Sequence, residues 1–234
     1  MRPTHAVFLA GCAATALVAT AGFAADTGWP MYGGNYAKWH YSELAKINRD
    51  NVKNLSFAWA RSLGNAFSQE STPLVIGDTL YVTSANGPQY VMALDAATGA
   101  IRWKVELEMP AGVQQYACCG VVNRGPAYSD GMIYVGRLDG ALSAFDAKTG
   151  EEKWTVEVVD YKQGSVITSP PLIVKDLVIT GFGGGEYGAR GYIVAYDKKT
   201  GKERWKTWTV PGPGEPGNES WKGDSWKQGA APSG

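Results

Sequence analysis

One thirteen-residue pattern recurs three times in this chain, as VMALDAATGAIRW (91–103), LSAFDAKTGEEKW (142–154) and IVAYDKKTGKERW (193–205). The closing tryptophans stand at 103, 154 and 205, a constant spacing of 51 residues. Repetition at a fixed period of this size marks an array of structural units that bury their apolar faces against one another. In each copy an alternating apolar stretch runs into an Asp, an Asp-x-x-Thr-Gly segment turns the chain, and a second strand ends on Trp. The Asp can accept hydrogen bonds from the backbone amides of the turn, and the Gly can take a positive φ.

Two more strand candidates precede each copy: 73–76 and 79–84, then 123–128 and 132–137, then 166–174 and 177–181. Four strands per repeat make a propeller blade, so the chain reads as all-β, with blades over about 73–105, 123–158 and 166–208. The repeat tryptophans are expected to pack between neighbouring blades. Residues 47–60 read as a helical turn capped by Asn48 and then a strand ending near Trp59, which would complete a further blade. Residues 209–234 carry turn formers without strand periodicity and read as an inter-blade loop. The partial propeller domain is therefore placed at 26–234.

The first 25 residues place Arg2 and His5 ahead of an Ala-rich apolar run ending in small residues, which reads as a secretory signal peptide cleaved after Ala24 or Ala25. A lipoprotein reading at Cys12 would leave a very short apolar stretch before the cysteine, and a retained span is interrupted by Thr15 and Thr20. Export makes the expected location periplasmic. With 22 basic and 22 acidic residues the charges cancel, and nothing advertises nucleic acid as a partner.

Chemistry-bearing residues cluster in three places. Once Cys12 is removed, Cys118 and Cys119 are the only cysteines, and they are neighbours. Bonding them would close a strained eight-membered ring, because adjacent Cα atoms are closer than a disulfide ordinarily spans. A pair of free thiols is the alternative, but an exported chain with no other cysteine favours the vicinal disulfide. Five residues beyond Cys119, Arg124 offers a planar fork for a carboxylate or quinone oxygen, or a surface ion pair. The segment 181–191 is Gly-rich and holds Glu186, which is either solvated or a hard oxygen ligand for an ion such as Ca²⁺. It lacks the Gly-Lys-Ser/Thr of a phosphate loop. His40, between Trp39 and Tyr41, reads as a packing or surface residue rather than a general base.

Taken together, the repeat, Cys-Cys-Gly with Val-Asn-Arg-Gly, and Gly-Gly-Glu-Tyr-Gly-x-Arg-Gly resemble the pyrroloquinoline quinone (PQQ)-dependent methanol and ethanol dehydrogenases, from Trp29 through Trp226. That resemblance implies an eight-bladed propeller with tryptophan-docking blades. It implies that Cys118 and Cys119 form a disulfide over one face of PQQ, and that Arg124 reaches the quinone oxygens. Glu70, Thr168, Gly184 and Gly185 would line the cofactor, and Glu186 would ligate Ca²⁺ or a lanthanide. The activity implied is oxidation of a small alcohol to an aldehyde, with electrons passing to a c-type cytochrome. In the family's order the second aromatic wall, an Asn metal ligand and the Asp base come after residue 234, so no catalytic residue is expected within the chain, which is expected to be inactive alone. Gly120 and Gly183 depart from residues common in the family and leave the subfamily open. The competing reading is a non-catalytic propeller scaffold of the cell envelope, which has no use for this combination of residues.

Overall fold

A computed structural model describes residues 28–64 and 68–229. Among them lie three four-stranded antiparallel sheets and no α-helix. Blade 1 comprises β1 (Leu74–Ile76), β2 (Thr79–Thr83), β3 (Tyr90–Asp95) and β4 (Ile101–Glu106). Blade 2 comprises β5 (Ala127–Ser129), β6 (Met132–Gly136), β7 (Ala141–Asp146) and β8 (Glu152–Glu157). Blade 3 comprises β9 (Leu172–Val174), β10 (Leu177–Thr180), β11 (Tyr192–Asp197) and β12 (Glu203–Trp208). In each blade the strands pair in chain order, giving a partial propeller.

The repeat turn works as its chemistry dictates. Asp95 Oδ1 accepts from the amides of Ala97 and Thr98 and from the Thr98 hydroxyl, and Gly99 follows at φ +68°. Asp146 and Asp197 repeat the arrangement, with Gly150 at +77° and Gly201 at +69°. All three carboxyls are held below the ordinary carboxylate range. Asp95, which also bonds Arg102, is the lowest, at about 2.

Each turn is also a dock for the preceding blade. Trp103 donates its indole N–H to the Ala147 carbonyl at 2.9 Å, and Trp154 donates to the Lys198 carbonyl at 3.2 Å. The rings lie over glycines: a Cβ at Gly150 would fall 2.8 Å from Trp103, and one at Gly201 would fall 2.9 Å from Trp154. Buried tyrosines from β2 and β6 reach the same two carbonyls, Tyr81 at 3.1 Å and Tyr134 at 3.0 Å. Around these locks sit two apolar cores, one between blades 1 and 2 centred on Val91, Ile133 and Phe145, the other between blades 2 and 3 centred on Leu142, Ile167 and Val194.

Three expectations need correction. The strand anticipated at 55–60 forms no ladder among the described residues; the segment meets blade 1 through side chains. Trp59 donates to the Ala96 carbonyl at 3.2 Å and covers Gly99, and Arg61 donates to the Gly99 carbonyl at 2.9 Å. The turn before it spans Val52–Asn54 behind Asn51, while Asn48 bonds the Asp50 amide instead of capping it. The first strands of blades 2 and 3 begin later than 123 and 166, because the backbone of Arg124 bonds Thr72 and Thr168, that of Ile167 bonds Arg137, and Val166 forms only an isolated bridge to Gly183. Residues 209–229 contain two short 3-10 turns and no strand.

Candidate cofactor site

Antiparallel order sends every Asp-x-x-Thr-Gly turn to one face of the assembly. The opposite face receives the segment preceding each blade, the β2–β3 type loops and the connections after each fourth strand. All eight residues singled out from the sequence fall in those segments.

The segments are stitched together around the inner edges of the blades. Thr72 N–H donates to the Arg124 carbonyl at 3.1 Å, and Arg124 N–H donates to the Thr168 carbonyl at 2.8 Å. Side chains follow the same path. Arg124 Nε lies 3.2 Å from Glu70 Oε2, and its Nη1 donates to Thr168 Oγ1 at 2.7 Å. Glu70, Arg124 and Thr168 thus form one cluster, with the guanidinium and carboxylate both about two-fifths exposed, at 43% and 42%. Because Thr168 Oγ1 accepts from arginine, its own proton is left for another acceptor. Nη2 of Arg124 has no hydrogen-bond partner among the described residues, and the side chain is part-exposed.

Cys118 and Cys119 are joined by a disulfide between adjacent residues and are exposed. The loop carrying them is anchored on both sides: Ala117 and Val121 pack with buried Val113, Leu138 and Val166, and Val121 C=O accepts from Asn86 N–H at 2.7 Å. Tyr116 meets Tyr161 edge-on at 5.5 Å. Val166 in turn pairs with Gly183. This ties the disulfide loop, the Thr168 segment and the Gly-rich segment to one region.

Glu186 sits in a 3-10 turn, Gly185–Tyr187, and is exposed. Gly184 precedes it at φ +124°, and a Cβ there would fall 2.3 Å from the Gly164 carbonyl. Backbone crossing therefore requires this glycine. Gly185 contributes its carbonyl to the Gly188 amide at 3.1 Å and has no such constraint from a positive φ. Among the described residues no three or more His, Cys, Asp or Glu side chains converge as a metal cluster, so Glu186 supplies a single carboxylate. His40 packs edge-on against Tyr32 at 5.6 Å, away from these groups in sequence and in role.

Arg190, part of the Gly-rich motif, carries no assigned role from the sequence. It lies 3.9 Å from the Trp208 ring and 5.4 Å from that of Trp226, donates to the Val210 carbonyl at 2.8 Å and pairs with Glu215. It thereby folds the 209–229 loop onto the turn that carries Glu186. An arginine at the end of the Gly-rich segment, followed by a loop holding Trp221 and Trp226, was the available signal.

The model of the PQQ β-propeller domain of glucose, ethanol and alcohol dehydrogenases matches residues 29–233. The chain belongs to this family of PQQ dehydrogenase propellers. It is 40% identical over 222 residues to the lanthanide-dependent methanol dehydrogenase of Methylacidiphilum fumariolicum (strain SolV), covering 86% of this chain and 36% of that protein. Methanol dehydrogenase (cytochrome c) subunit 1 of Paracoccus denitrificans is 39% identical over 227 residues, with the same coverages of 86% and 36%. Among solved structures, a europium-containing methanol dehydrogenase superposes with a TM-score of 0.81 at 39% identity, over 87% of this chain and 38% of its own. The quinohemoprotein alcohol dehydrogenase of Comamonas testosteroni gives 0.77 at 41% identity, over 83% and 29%. This PQQ dehydrogenase propeller chain thus spans about a third of the length of such relatives.

Proposed function

We propose that this chain supplies the cofactor-cradling blades of a periplasmic PQQ- and metal-dependent alcohol dehydrogenase. Supporting this reading above all is one conjunction: an exposed vicinal disulfide on the same face of adjoining blades as the Glu70–Arg124–Thr168 cluster. PQQ is a flat, acceptor-rich tricarboxylate, and the donors present suit it. Arg124 offers its free Nη2 edge, Thr168 its hydroxyl proton, and the disulfide a compact polarisable surface against a ring. Glu70 holds the guanidinium in the plane in which it can meet an oxygen. Gly184 and Gly185 keep the backbone near the site unobstructed, and Glu186 would give a Ca²⁺ or lanthanide ion one charged oxygen ligand.

When bound, the quinone with its metal would supply two-electron chemistry, in which the alcohol carbon gives up a hydride that carries both electrons and the hydroxyl gives up its proton, leaving an aldehyde. The residues of this chain orient the cofactor and bias its oxygens toward negative charge, as a fixed cation and hydroxyl donor do for any oxyanion. A c-type cytochrome is proposed as the electron acceptor, by analogy with the Paracoccus relative, whose name carries that cytochrome. A signal peptide over 1–25, outside the described residues, would deliver the chain to the periplasm. The envelope-scaffold reading has no observation in its favour.

The test is binding of PQQ to the full chain, followed by quenching of tryptophan fluorescence, with and without Arg124→Ala. Saturable binding weakened roughly tenfold or more by the substitution is expected, in line with loss of charge-assisted hydrogen bonds. Binding indifferent to Arg124 would refute the assignment.

A further inference from the structure

Beneath the Glu70–Arg124 pair lies a buried polar cluster that the blade ladders do not use. Thr83 and Asn123 both have 0% exposure. Asn123 Oδ1 accepts from the Thr83 hydroxyl at 2.6 Å and from Gly125 N–H at 3.1 Å, and its Nδ2 donates to the Gly136 carbonyl at 2.9 Å. The Thr83 and Ser71 hydroxyls are 2.9 Å apart, and Thr83 N–H donates to Ser71 Oγ at 3.1 Å. Gln69, itself exposed, joins from the surface, donating to the Thr83 carbonyl at 2.8 Å and accepting from Ala85 N–H at 3.0 Å.

Where these residues fall in the chain gives the cluster its meaning. Gln69 and Ser71 flank Glu70, and Asn123 immediately precedes Arg124. The end of β2 therefore holds the backbone on both sides of the carboxylate and directly before the guanidinium. Gly125 then turns sharply at φ +118°, and a Cβ there would fall 2.7 Å from the Thr72 carbonyl. Apolar residues of similar shape would fill the space at less desolvation cost, whereas a network of directional hydrogen bonds between buried groups fixes geometry. We infer that Ser71, Thr83 and Asn123 are positioning residues that set the Glu70–Arg124 pair for PQQ, an inference that rests on the cofactor reading above.

Thr83→Val keeps the side-chain shape and removes the hydroxyl, while Thr83→Ser keeps the hydroxyl. Hydrogen–deuterium exchange read by mass spectrometry on the full chain would compare a peptide over 121–128 with one over 141–157. In Thr83→Val the first should exchange roughly tenfold faster and the second should be unchanged, with Thr83→Ser within about twofold of the unsubstituted protein. PQQ should bind Thr83→Val roughly tenfold more weakly by fluorescence quenching, and Thr83→Ser normally. Equal acceleration in both peptides, no acceleration in the first, or faster exchange with unaltered PQQ affinity would each overturn the inference. Failure of the unsubstituted chain to bind PQQ would instead remove the cofactor reading, and exchange alone would then decide whether the cluster holds the ion pair.

Discussion

Arg124 owes its position to backbone as much as to charge: its N–H and C=O join two neighbouring blades before its side chain makes any contact. The neighbouring Cys118–Cys119 bond closes the shortest loop a chain allows, so it removes little entropy from the unfolded state. Reduction with a thiol reagent is therefore expected to shift unfolding stability by about 1 kcal/mol or less while weakening PQQ binding, as denaturant titration and fluorescence quenching would show. Asp95 makes the opposite kind of contribution. Hydrogen bonds from Arg102, from the Thr98 hydroxyl and from the Thr98 amide hold its carboxyl at about 2, below the ordinary 3.8. Since the folded value is the lower, its stabilisation is present above 3.8 and fades as pH falls toward 2, so Asp95→Asn should flatten the loss of the urea midpoint in that window. At this scale the chain was partly legible. Cys118, Cys119 and Arg124 stood out by type and context, whereas Thr83 and Asn123 look like ordinary strand-end polars until burial shows that each needs a partner.

The blade elements were readable because their turn has its own chemistry, repeated at 51-residue intervals with Asp, Thr and Gly fixed. Strand starts were less so. Residues 123–128 read as a strand, yet Arg124 gives its backbone N–H and C=O to neighbouring blades, a choice that tertiary packing makes and local pattern cannot. The segment around Trp59 shows the same limit, for its indole repeats the dock of Trp103 and Trp154 without a strand beneath it among the described residues. The docks themselves give a graded prediction. Tyr81→Phe removes one of two donors to the Ala147 carbonyl and should cost about 1 kcal/mol. Gly150→Ala forces a side chain onto the Trp103 ring at a positive φ and should cost roughly 2 kcal/mol or more by chemical denaturation.

Across the whole molecule the two faces divide the labour, with the Asp-x-x-Thr-Gly turns and their docks on one and the loops proposed to hold the cofactor on the other. A bulky polymer attached at Lys148→Cys, in an exposed repeat turn, should leave PQQ affinity unchanged. The same polymer at Gln114→Cys, in the exposed loop that carries the disulfide, should reduce it, with fluorescence quenching as the measurement for both. Because Lys148 and Lys199 occupy equivalent exposed places in successive turns, single cysteines there would serve as equivalent mooring points. Coupled through either one to a maleimide-bearing carbon surface, which takes a thiol and leaves a disulfide intact, every molecule would stand the same way up, its disulfide and Arg124 turned to the liquid and its tryptophan docks toward the solid.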